Sequence, residues 1–312
     1  MALDPDAERV LEMVRASGRP PYETLSPAEA RALFLAAREV LALDPAPVAA
    51  VRDLVGPGGV PLRLYRGART DAAALLPVLV YFHGGGWVIG DIESHDSICR
   101  HIANAARCAV VSVDYRLAPE HKFPAAVDDC FAATRWVAAE GPLLAIDGER
   151  IGVGGDSAGG NLAAVVSLLA RDRGAPRLSC QLLLYPATDA SMRHPSIARF
   201  AEGFLLTRST MQWFYDCYQR RPEDDADWRA SPLRAADLSG VPPAFVLTAG
   251  FDPLCDEGVA YARRLQEAGV AVNHRHFADQ IHGFLSAGKI IRAAVPALDE
   301  IAAALREIWD NV

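Results

Sequence analysis

Apolar and polar positions follow two different periods along this chain. From residue 75 onward, short apolar runs bounded by glycine or proline alternate with longer segments that have helical spacing. The predicted strands cover 77–82, 109–114, 150–154, 178–184, 244–249 and 271–277, and the predicted helices cover 94–106, 124–140, 157–172, 256–268 and 291–309. This alternation predicts an α/β fold with a mostly parallel sheet covered by helices on both faces.

The first 45 residues are predicted to be helical. Ser26, Pro27 and Glu29 form the pattern of a helix start, with a capping serine, a proline in the first turn and an acidic third position. Two strand candidates come next, at 51–55 and 60–65. The glycine- and proline-rich segment between them predicts a hairpin turn.

The alternation of strands and helices stops between residues 188 and 236. This segment is rich in aromatic and apolar side chains, so it predicts a helical insertion that packs with the N-terminal helices as a lid. We therefore expect a single domain overall. Its core covers 49–187 and 237–312, and its cap comprises N-terminal helices in 1–48 and the insertion at 188–236.

Composition and charge exclude several classes of partner. The chain has 312 residues, of which 51% are hydrophobic and 22% charged, as is ordinary for a globular protein. A net charge of −8 argues against nucleic-acid binding, which requires a basic surface. The N-terminus lacks the features of an export signal, and no apolar run reaches the length of about 20 residues that a membrane span needs. We therefore expect a cytoplasmic protein with no membrane span.

The six cysteines occur without CxxC or other metal-type spacing. In a long chain without an export signal, reduced thiols are the default. We expect free cysteines and no metal site.

A serine lies on a glycine-rich turn between a predicted strand and a predicted helix. Ser157 has glycines two positions before and after it, which allows a tight turn that exposes its hydroxyl at the end of the sheet. A serine hydroxyl is a weak nucleophile and needs a base that is held by an acid. The alternative, a phosphate-binding turn, is disfavoured because the GxGxxG spacing and the P-loop lysine are absent.

A candidate base follows the serine, in the order that such a turn requires. His282 lies just after the last predicted strand, in a loop context suited to a base. His274 and His276 share one face of that strand, and without further ligands they indicate a surface strand face rather than a metal site. His194 lies in the predicted insertion and has no evident structural support as a base.

Asp252 is the candidate acid, because a carboxylate just after a strand is well placed to orient an imidazole. Asp256 and Glu257 are rivals, but they lie where a helix starts, which favours capping and pairing with the helix dipole. Asp156 cannot easily reach the imidazole from behind the serine turn, so we expect it to support that turn.

The segment from His83 to Trp87 contains three consecutive glycines after a predicted strand. Glycines permit a backbone path on which several N–H groups point one way. We expect Gly85, Gly86 and Ala158 to donate to an oxyanion, a role in which losing one donor costs about 2.7–4 kcal/mol. His83 is expected to hold this loop through side-chain hydrogen bonds rather than to transfer protons.

Together these motifs resemble the hormone-sensitive-lipase family of α/β-hydrolases, in its bacterial carboxylesterase branch. The matching segments are Phe82–Trp87, Asp114–Ala125, Gly155–Ala163, Asp252–Gly258 and His282–Phe284, and the resemblance spans roughly residues 50–310. It implies an α/β-hydrolase fold with a helical cap, the triad Ser157, Asp252 and His282, and the oxyanion donors Gly85, Gly86 and Ala158. It also implies a homodimer through an edge strand. The run 114–120 is expected to brace the loop beside the site.

Side chains of the insertion and of the site loops are candidates for substrate contact. Phe214, Tyr215 and Tyr218 are expected to form the core of the cap. The predicted substrate contacts are Trp87, Phe204, Leu205, Trp213, Ile281 and Phe284.

The resemblance implies a serine carboxylesterase that cleaves short- to medium-chain acyl esters of small molecules through an acyl-enzyme, without a metal or organic cofactor. Two alternatives stay open: a non-catalytic ligand receptor on the same fold, and an amidase or peptidase. Receptors of this kind lose the catalytic histidine, whereas His282 is present. Nothing in the sequence forms the propeller or gated domain of a peptidase, and a true lipase would need an exposed apolar docking surface.

Overall fold

The computed structural model describes residues 2–71 and 74–311 and centres on an eight-stranded sheet. The strands are β1 (Ala50–Val55), β2 (Pro61–Arg66), β3 (Leu76–Phe82), β4 (Ala109–Val113), β5 (Ile146–Asp156), β6 (Cys180–Leu184), β7 (Ala244–Phe251) and β8 (Val272–Ile281). Their order across the sheet is β1-β2-β4-β3-β5-β6-β7-β8. β2 pairs antiparallel with β1 and β4, while the other neighbouring strands are parallel. The predicted mostly parallel sheet is confirmed, and β1 and β2 form the predicted hairpin.

The helices fall in the segments between these strands and at both ends of the described chain. They are α1 (Pro5–Ala16), α2 (Pro27–Leu41), α3 (Asp96–Ala106), α4 (Ala125–Glu140), α5 (Ala158–Arg173), α6 (Pro195–Arg199), α7 (Arg208–Tyr218), α8 (Cys255–Glu267) and α9 (Ala294–Asp310). Within the described ranges, none of them is both long and apolar enough to span a bilayer.

Each face of the sheet has its own hydrophobic core, because alternate residues of a strand point to opposite faces. Val78 and Val80 of β3 lie in the core that also contains residues of α4, α5 and α8. Leu79 and Tyr81 lie in the core that contains residues of α3 and α9. With both faces covered, side chains from several strands can meet at the carboxyl ends of the parallel strands.

Several boundaries differ from the predicted ones. β5 begins at Ile146 instead of 150, and β8 continues to Ile281 instead of ending at 277. A polar stretch hides the apolar alternation at the end of β8, although Ile281 still pairs with Phe251 of β7. The last helix begins at Ala294, three residues later than predicted. The extension of β8 carries His282 to the end of the sheet.

The helix start predicted at Ser26 is a capping box. Ser26 Oγ accepts a hydrogen bond from the Glu29 N–H at 3.3 Å, and Glu29 Oε2 accepts one from the Ser26 N–H at 2.9 Å. The segment 188–236 contains α6 and α7, and Thr210 of α7 donates a hydrogen bond to Glu23 at 2.9 Å. This contact joins the insertion to the N-terminal segment. The division into cap and core stays a prediction.

Candidate active site

Ser157 lies on the turn between β5 and α5 in a backbone conformation that side chains rarely adopt. Its φ is 56° and its ψ is −117°, and such strain costs about 1–3 kcal/mol. The turn is possible because Gly155 and Gly159 bring the backbone against β3, where a Cβ at either position would overlap the carbonyl oxygen of Phe82. The Ser157 N–H donates to the Leu184 carbonyl at 2.8 Å, which fixes the turn to β6.

Three of the predicted site residues form one chain of hydrogen bonds. His282 Nε2 lies 3.0 Å from Ser157 Oγ, and His282 Nδ1 lies 2.8 Å from Asp252 Oδ2. Asp252 is fully buried, and its Oδ1 accepts a hydrogen bond from the Leu254 N–H at 2.8 Å. The edge of the Tyr185 ring contacts the imidazole, with 4.9 Å between ring centroids. A hydroxyl, an imidazole and a carboxylate are thus aligned in the geometry that nucleophilic acyl transfer requires.

The glycine-rich loop after β3 approaches this serine. Gly85 has φ 120° and Gly86 has φ 59°, and a Cβ would overlap the Ile89 carbonyl oxygen at the first position and the Phe214 ring at the second. Within residues 2–71 and 74–311, the N–H groups of Gly85, Gly86 and Ala158 donate no hydrogen bond. They are therefore available to an acceptor in the pocket.

Asp156 ties the serine turn to the glycine-rich loop. Its Oδ1 accepts hydrogen bonds from the Gly84 N–H at 3.0 Å and from the Tyr81 hydroxyl at 2.8 Å, and His95 Nε2 lies 3.2 Å away. Burial alone would raise the pKa of Asp156, but His95 and Tyr81 lower it to about 2. The carboxylate is therefore ionised at neutral pH. Sequence reasoning missed His95, because a single turn of 3₁₀-helix has no apolar period that marks a residue as buried.

His83 packs beneath the same loop. Its ring stacks on Tyr115 at 4.2 Å between centroids, and its Nδ1 lies 2.8 Å from the Gly84 carbonyl. The Tyr115 hydroxyl donates to the His83 carbonyl at 2.7 Å. Burial lowers the pKa of His83 to about 4, so the imidazole is neutral at neutral pH. These contacts hold the loop in place, as expected.

The segment after β4 is held by two arginines. Arg31 of α2 donates to the Ala118 carbonyl at 2.9 Å and pairs with Glu120 at 2.6 Å. Arg116 pairs with Asp129 of α4 at 2.7 Å. The segment thus links α2 to α4 behind the glycine-rich loop.

Asp256 and Glu257 lie in the first turn of α8 but do not cap it, which corrects the capping role expected for them, and both bind the insertion. Asp256 accepts a hydrogen bond from the Ser196 N–H at 2.8 Å. Glu257 is fully buried and accepts hydrogen bonds from the N–H groups of Thr188 at 2.6 Å and Asp189 at 3.1 Å. Burial raises the pKa of Glu257 well above its ordinary value. The two carboxyl groups attach the start of the insertion to α8.

Two pockets meet at Ser157. The smaller one, about 290 Å³ with its open mouth, has an apolar lining that includes Trp87, Met211, Phe214, Tyr215 and Leu254. The larger one, about 750 Å³ with its open mouth, lies between α2, the glycine-rich loop and His282, and its lining includes Tyr22, Phe34, Arg38, Leu205 and Leu206. Trp87 and Leu205 are the predicted contact residues that line a pocket.

The other four predicted contact residues lie elsewhere, which corrects that part of the prediction. Phe204 packs against Phe251, with 5.6 Å between ring centroids, and Trp213 lies beside Phe214 without lining either pocket. Ile281 and Phe284 are fully buried in the core beneath the sheet. Proximity to His282 in the sequence was misleading, because the chain turns into the core directly after it.

Several residues that line the pockets but were not expected there come from two helices. Phe34 and Arg38 are four residues apart on one face of α2, and Met211 and Phe214 share a face of α7. Residues three or four apart share one face of a helix, so the sequence shows which face they occupy but not which pocket that face meets.

The remaining histidines lie outside this arrangement. His274 and His276 both bond to Thr248 Oγ1 at 2.9 Å, and His194 lies 3.3 Å from Asp189. In the part of the chain that the structure describes, no three His, Cys, Asp or Glu side chains come together as a metal-binding group.

Comparison with known proteins places these features in a family. Residues 79–286 match the family model described as alpha/beta hydrolase fold, in agreement with the predicted fold. Carboxylic ester hydrolase LipN of Mycobacterium tuberculosis is 46% identical over 262 residues, which cover 81% of this chain and 69% of that protein. Ethyl acetate hydrolase of Pseudomonas putida is 40% identical over 318 residues, covering 98% of this chain and 99% of that protein.

Solved structures show the same similarity. A thermostable esterase from Pseudomonas putida superposes with a TM-score of 0.94 at 38% identity, over 99% of this chain and 98% of that chain. An ester-hydrolase from the metagenome of Lake Arreo, complexed with a bipyridine phosphonate derivative, superposes with a TM-score of 0.94 at 46% identity, over 98% of both chains.

Proposed function

Because the chain belongs to the alpha/beta hydrolase fold family and is a carboxylic ester hydrolase, we propose that it is a serine esterase of the hormone-sensitive-lipase type. Its substrates in this proposal are short- to medium-chain acyl esters of small molecules. The observation that carries the proposal is the hydrogen-bonded chain from Ser157 Oγ through His282 to Asp252 at the junction of two pockets.

In the first half of the reaction, Ser157 Oγ attacks the ester carbonyl while His282 Nε2 takes the hydroxyl proton. Asp252 accepts the hydrogen bond of Nδ1 and stabilises the imidazolium. The developing oxyanion accepts hydrogen bonds from Gly85, Gly86 and Ala158, whose N–H groups have no other acceptor in the described chain.

The alcohol leaves with a proton from His282, and the acyl group stays on Ser157. Water then enters, loses a proton to His282 and attacks the acyl carbon. Collapse of the second tetrahedral intermediate releases the acid and returns the proton to Ser157.

The smaller pocket supports the preference for short acyl chains. Its walls are lined by Met211, Phe214 and Tyr215 of α7 and by Leu254, and its volume is only about 290 Å³ even with its open mouth. A short alkyl chain is accommodated there, whereas a long one would have to displace buried side chains of the insertion.

A series of p-nitrophenyl esters from acetate to palmitate tests this function. We expect the highest kcat/KM for the short esters. If long-chain esters were turned over much faster than the butyrate ester, the chain-length proposal would be overturned. Ser157→Ala should lower kcat by up to about a millionfold. Retention of a tenth of the activity would exclude Ser157 as the nucleophile.

A control separates the base from other histidines. His282→Ala should abolish turnover, while His276→Ala, which changes an exposed residue of β8, should retain it. If the protein binds esters but cleaves none, the receptor alternative is correct. Matched ester and anilide substrates distinguish an esterase from an amidase or peptidase. The cytoplasmic location and the homodimer through an edge strand stay predictions.

A further inference from the structure

Arg38 brings a positive charge into the larger pocket beside Ser157 and has no acidic hydrogen-bond partner among residues 2–71 and 74–311. Its guanidinium carbon lies 4.6 Å from the centroid of the Phe34 ring, and its Nη1 donates to the Ser286 carbonyl at 3.0 Å. Its Nε is buried and has no hydrogen-bond partner among the described residues. The guanidinium also forms no salt bridge with a described Asp or Glu.

A guanidinium whose Nε is withdrawn from water normally meets a carboxylate or a phosphate, because burying an unpaired charge is costly. Burial lowers the pKa of Arg38, yet a guanidinium remains protonated at any physiological pH. The protein thus keeps a cation at this position, and no described carboxylate is hydrogen-bonded to it.

The other charged groups of the pocket form no salt bridge or hydrogen bond with Arg38 within the described residues, although the carboxylate of Asp156 acts on it through space and counteracts the lowering of its pKa by burial. Arg19 adds a second guanidinium, 5.4 Å from the centroid of the Tyr22 ring. Asp156 is the carboxylate among the described lining residues, and its hydrogen bonds go to Gly84, Tyr81 and His95. The pocket therefore offers two cations between apolar walls.

We propose that the larger pocket binds a carboxylate carried by the ester substrate, with Arg38 as the residue that determines this specificity. The proposal rests on the esterase function proposed above and names its substrate class. Water adds across the acyl C–O bond, the products are an acid and an alcohol, and the second carboxylate is unchanged. The substrate is a monoester of a dicarboxylic acid if the acyl half enters this pocket, or the ester of a hydroxy acid if the alcohol half does.

The position of Arg38 supports contact with bound substrate. The Ser286 carbonyl that it binds lies four residues after His282, and both Arg38 and His282 line the same pocket. Stacking on Phe34 restricts the guanidinium, so little side-chain freedom is lost when it forms a charged hydrogen bond.

Two pairs of substrates test the proposal, each an anion with a neutral isostere. Monomethyl succinate and methyl levulinate place the difference in the acyl half, and O-acetyl lactate and acetoin acetate place it in the alcohol half. Hydrolysis is followed by pH-stat. We expect the wild type to prefer the anion in at least one pair, and we expect Arg38→Met to reduce that anion-to-neutral ratio of kcat/KM by about 10- to 100-fold.

Arg38→Lys should recover part of the preference, and added salt should weaken it in the wild type. Arg52→Met removes an equal charge from an exposed position of β1 and should leave the ratio unchanged. If Arg38→Met does not fold, the proposal is tested on the wild type alone. An anion-to-neutral ratio of kcat/KM of one or below in both substrate pairs would overturn it.

An unchanged ratio in folded Arg38→Met would also overturn it and would make Arg38 a brace between α2 and the Ser286 turn. Cleavage of the neutral esters by the wild type establishes the esterase function separately. Failure to cleave any ester would instead refute that function, together with the substrate class that depends on it.

Discussion

The Gly84 N–H donates a hydrogen bond to Asp156 Oδ1 at 3.0 Å, which connects the loop that carries Gly85 and Gly86 to the residue preceding Ser157. The proposed oxyanion donors and the proposed nucleophile are therefore positioned by one carboxylate. Tyr81 and His95 also contact that carboxylate. A substitution at Asp156 should therefore displace both the glycine-rich loop and the Ser157 turn.

Asp156→Asn should lower stability and kcat while changing KM less. The folded-state pKa of Asp156 is about 2 against an ordinary 3.8, so its ionised form contributes stability that is complete above pH 3.8 and is lost as the pH falls towards 2. The shift corresponds to about 2 kcal/mol. Denaturant unfolding at pH 7 and at pH 3 measures it: the difference between the two proteins should shrink at the lower pH. An equal difference at both pH values would show that the charge is not responsible.

Gly86→Ala should impair activity far more than the cost of placing alanine at a positive φ would explain. Gly86 has φ 59°, and an added methyl group would also overlap the Phe214 ring. Gly58→Ala is the matched control, since Gly58 has φ 69° with open space around it and lies in the β1–β2 turn. We expect kcat to fall about 100-fold or more for the first change. For the second we expect only stability to fall, by about 1–2 kcal/mol. Similar kinetic effects of both substitutions would contradict a role for the Gly86 conformation in the site.

The reacting groups can be predicted from the sequence because each lies at a point where the backbone is locally constrained. Ser157 is flanked by glycines that only a tight turn requires, and Asp252 and His282 each follow a strand. Parallel strands end at the same edge of a sheet, so residues after three different strands are brought together whatever the details of packing. Strand and helix positions were predicted for the same reason, from glycine and proline boundaries.

The residues that line the pockets could not be predicted from strand ends and glycine turns. Ile281 and Phe284 were expected at the site because they flank His282, but the chain enters the core there. Arg38 and Phe214 lie on helices whose apolar faces predict burial without indicating the partner. Glu257 illustrates the same limit, since its position at a helix start gives no sign that its carboxyl group binds the backbone of the distant insertion.

Asp114→Asn should stabilise the protein at alkaline pH. Burial raises the pKa of Asp114 to about 6, and Asp91 and Glu93 add to the effect. Because the folded state binds this proton more tightly than the unfolded state, stability decreases as the pH rises from 3.8 to 6 and the penalty persists above it. We expect Asp114→Asn to gain about 1–2 kcal/mol at pH 8 and much less at pH 4, measured as unfolding midpoints. A gain of the same size at both pH values would contradict this explanation.

Phe214→Ala should shift the preferred acyl chain to greater length. The Phe214 ring closes the smaller pocket against Gly86 and Ser157, so its removal extends the space available to an acyl chain. Phe214 is also buried, and its loss should cost about 3–5 kcal/mol of stability. Phe131→Ala controls for that cost, because Phe131 is equally buried on α4 and lines neither pocket. In the p-nitrophenyl ester series, we expect the optimum of Phe214→Ala to move by several carbons and that of Phe131→Ala to stay in place. An unchanged optimum in folded Phe214→Ala would show that the Phe214 ring does not limit the acyl chain.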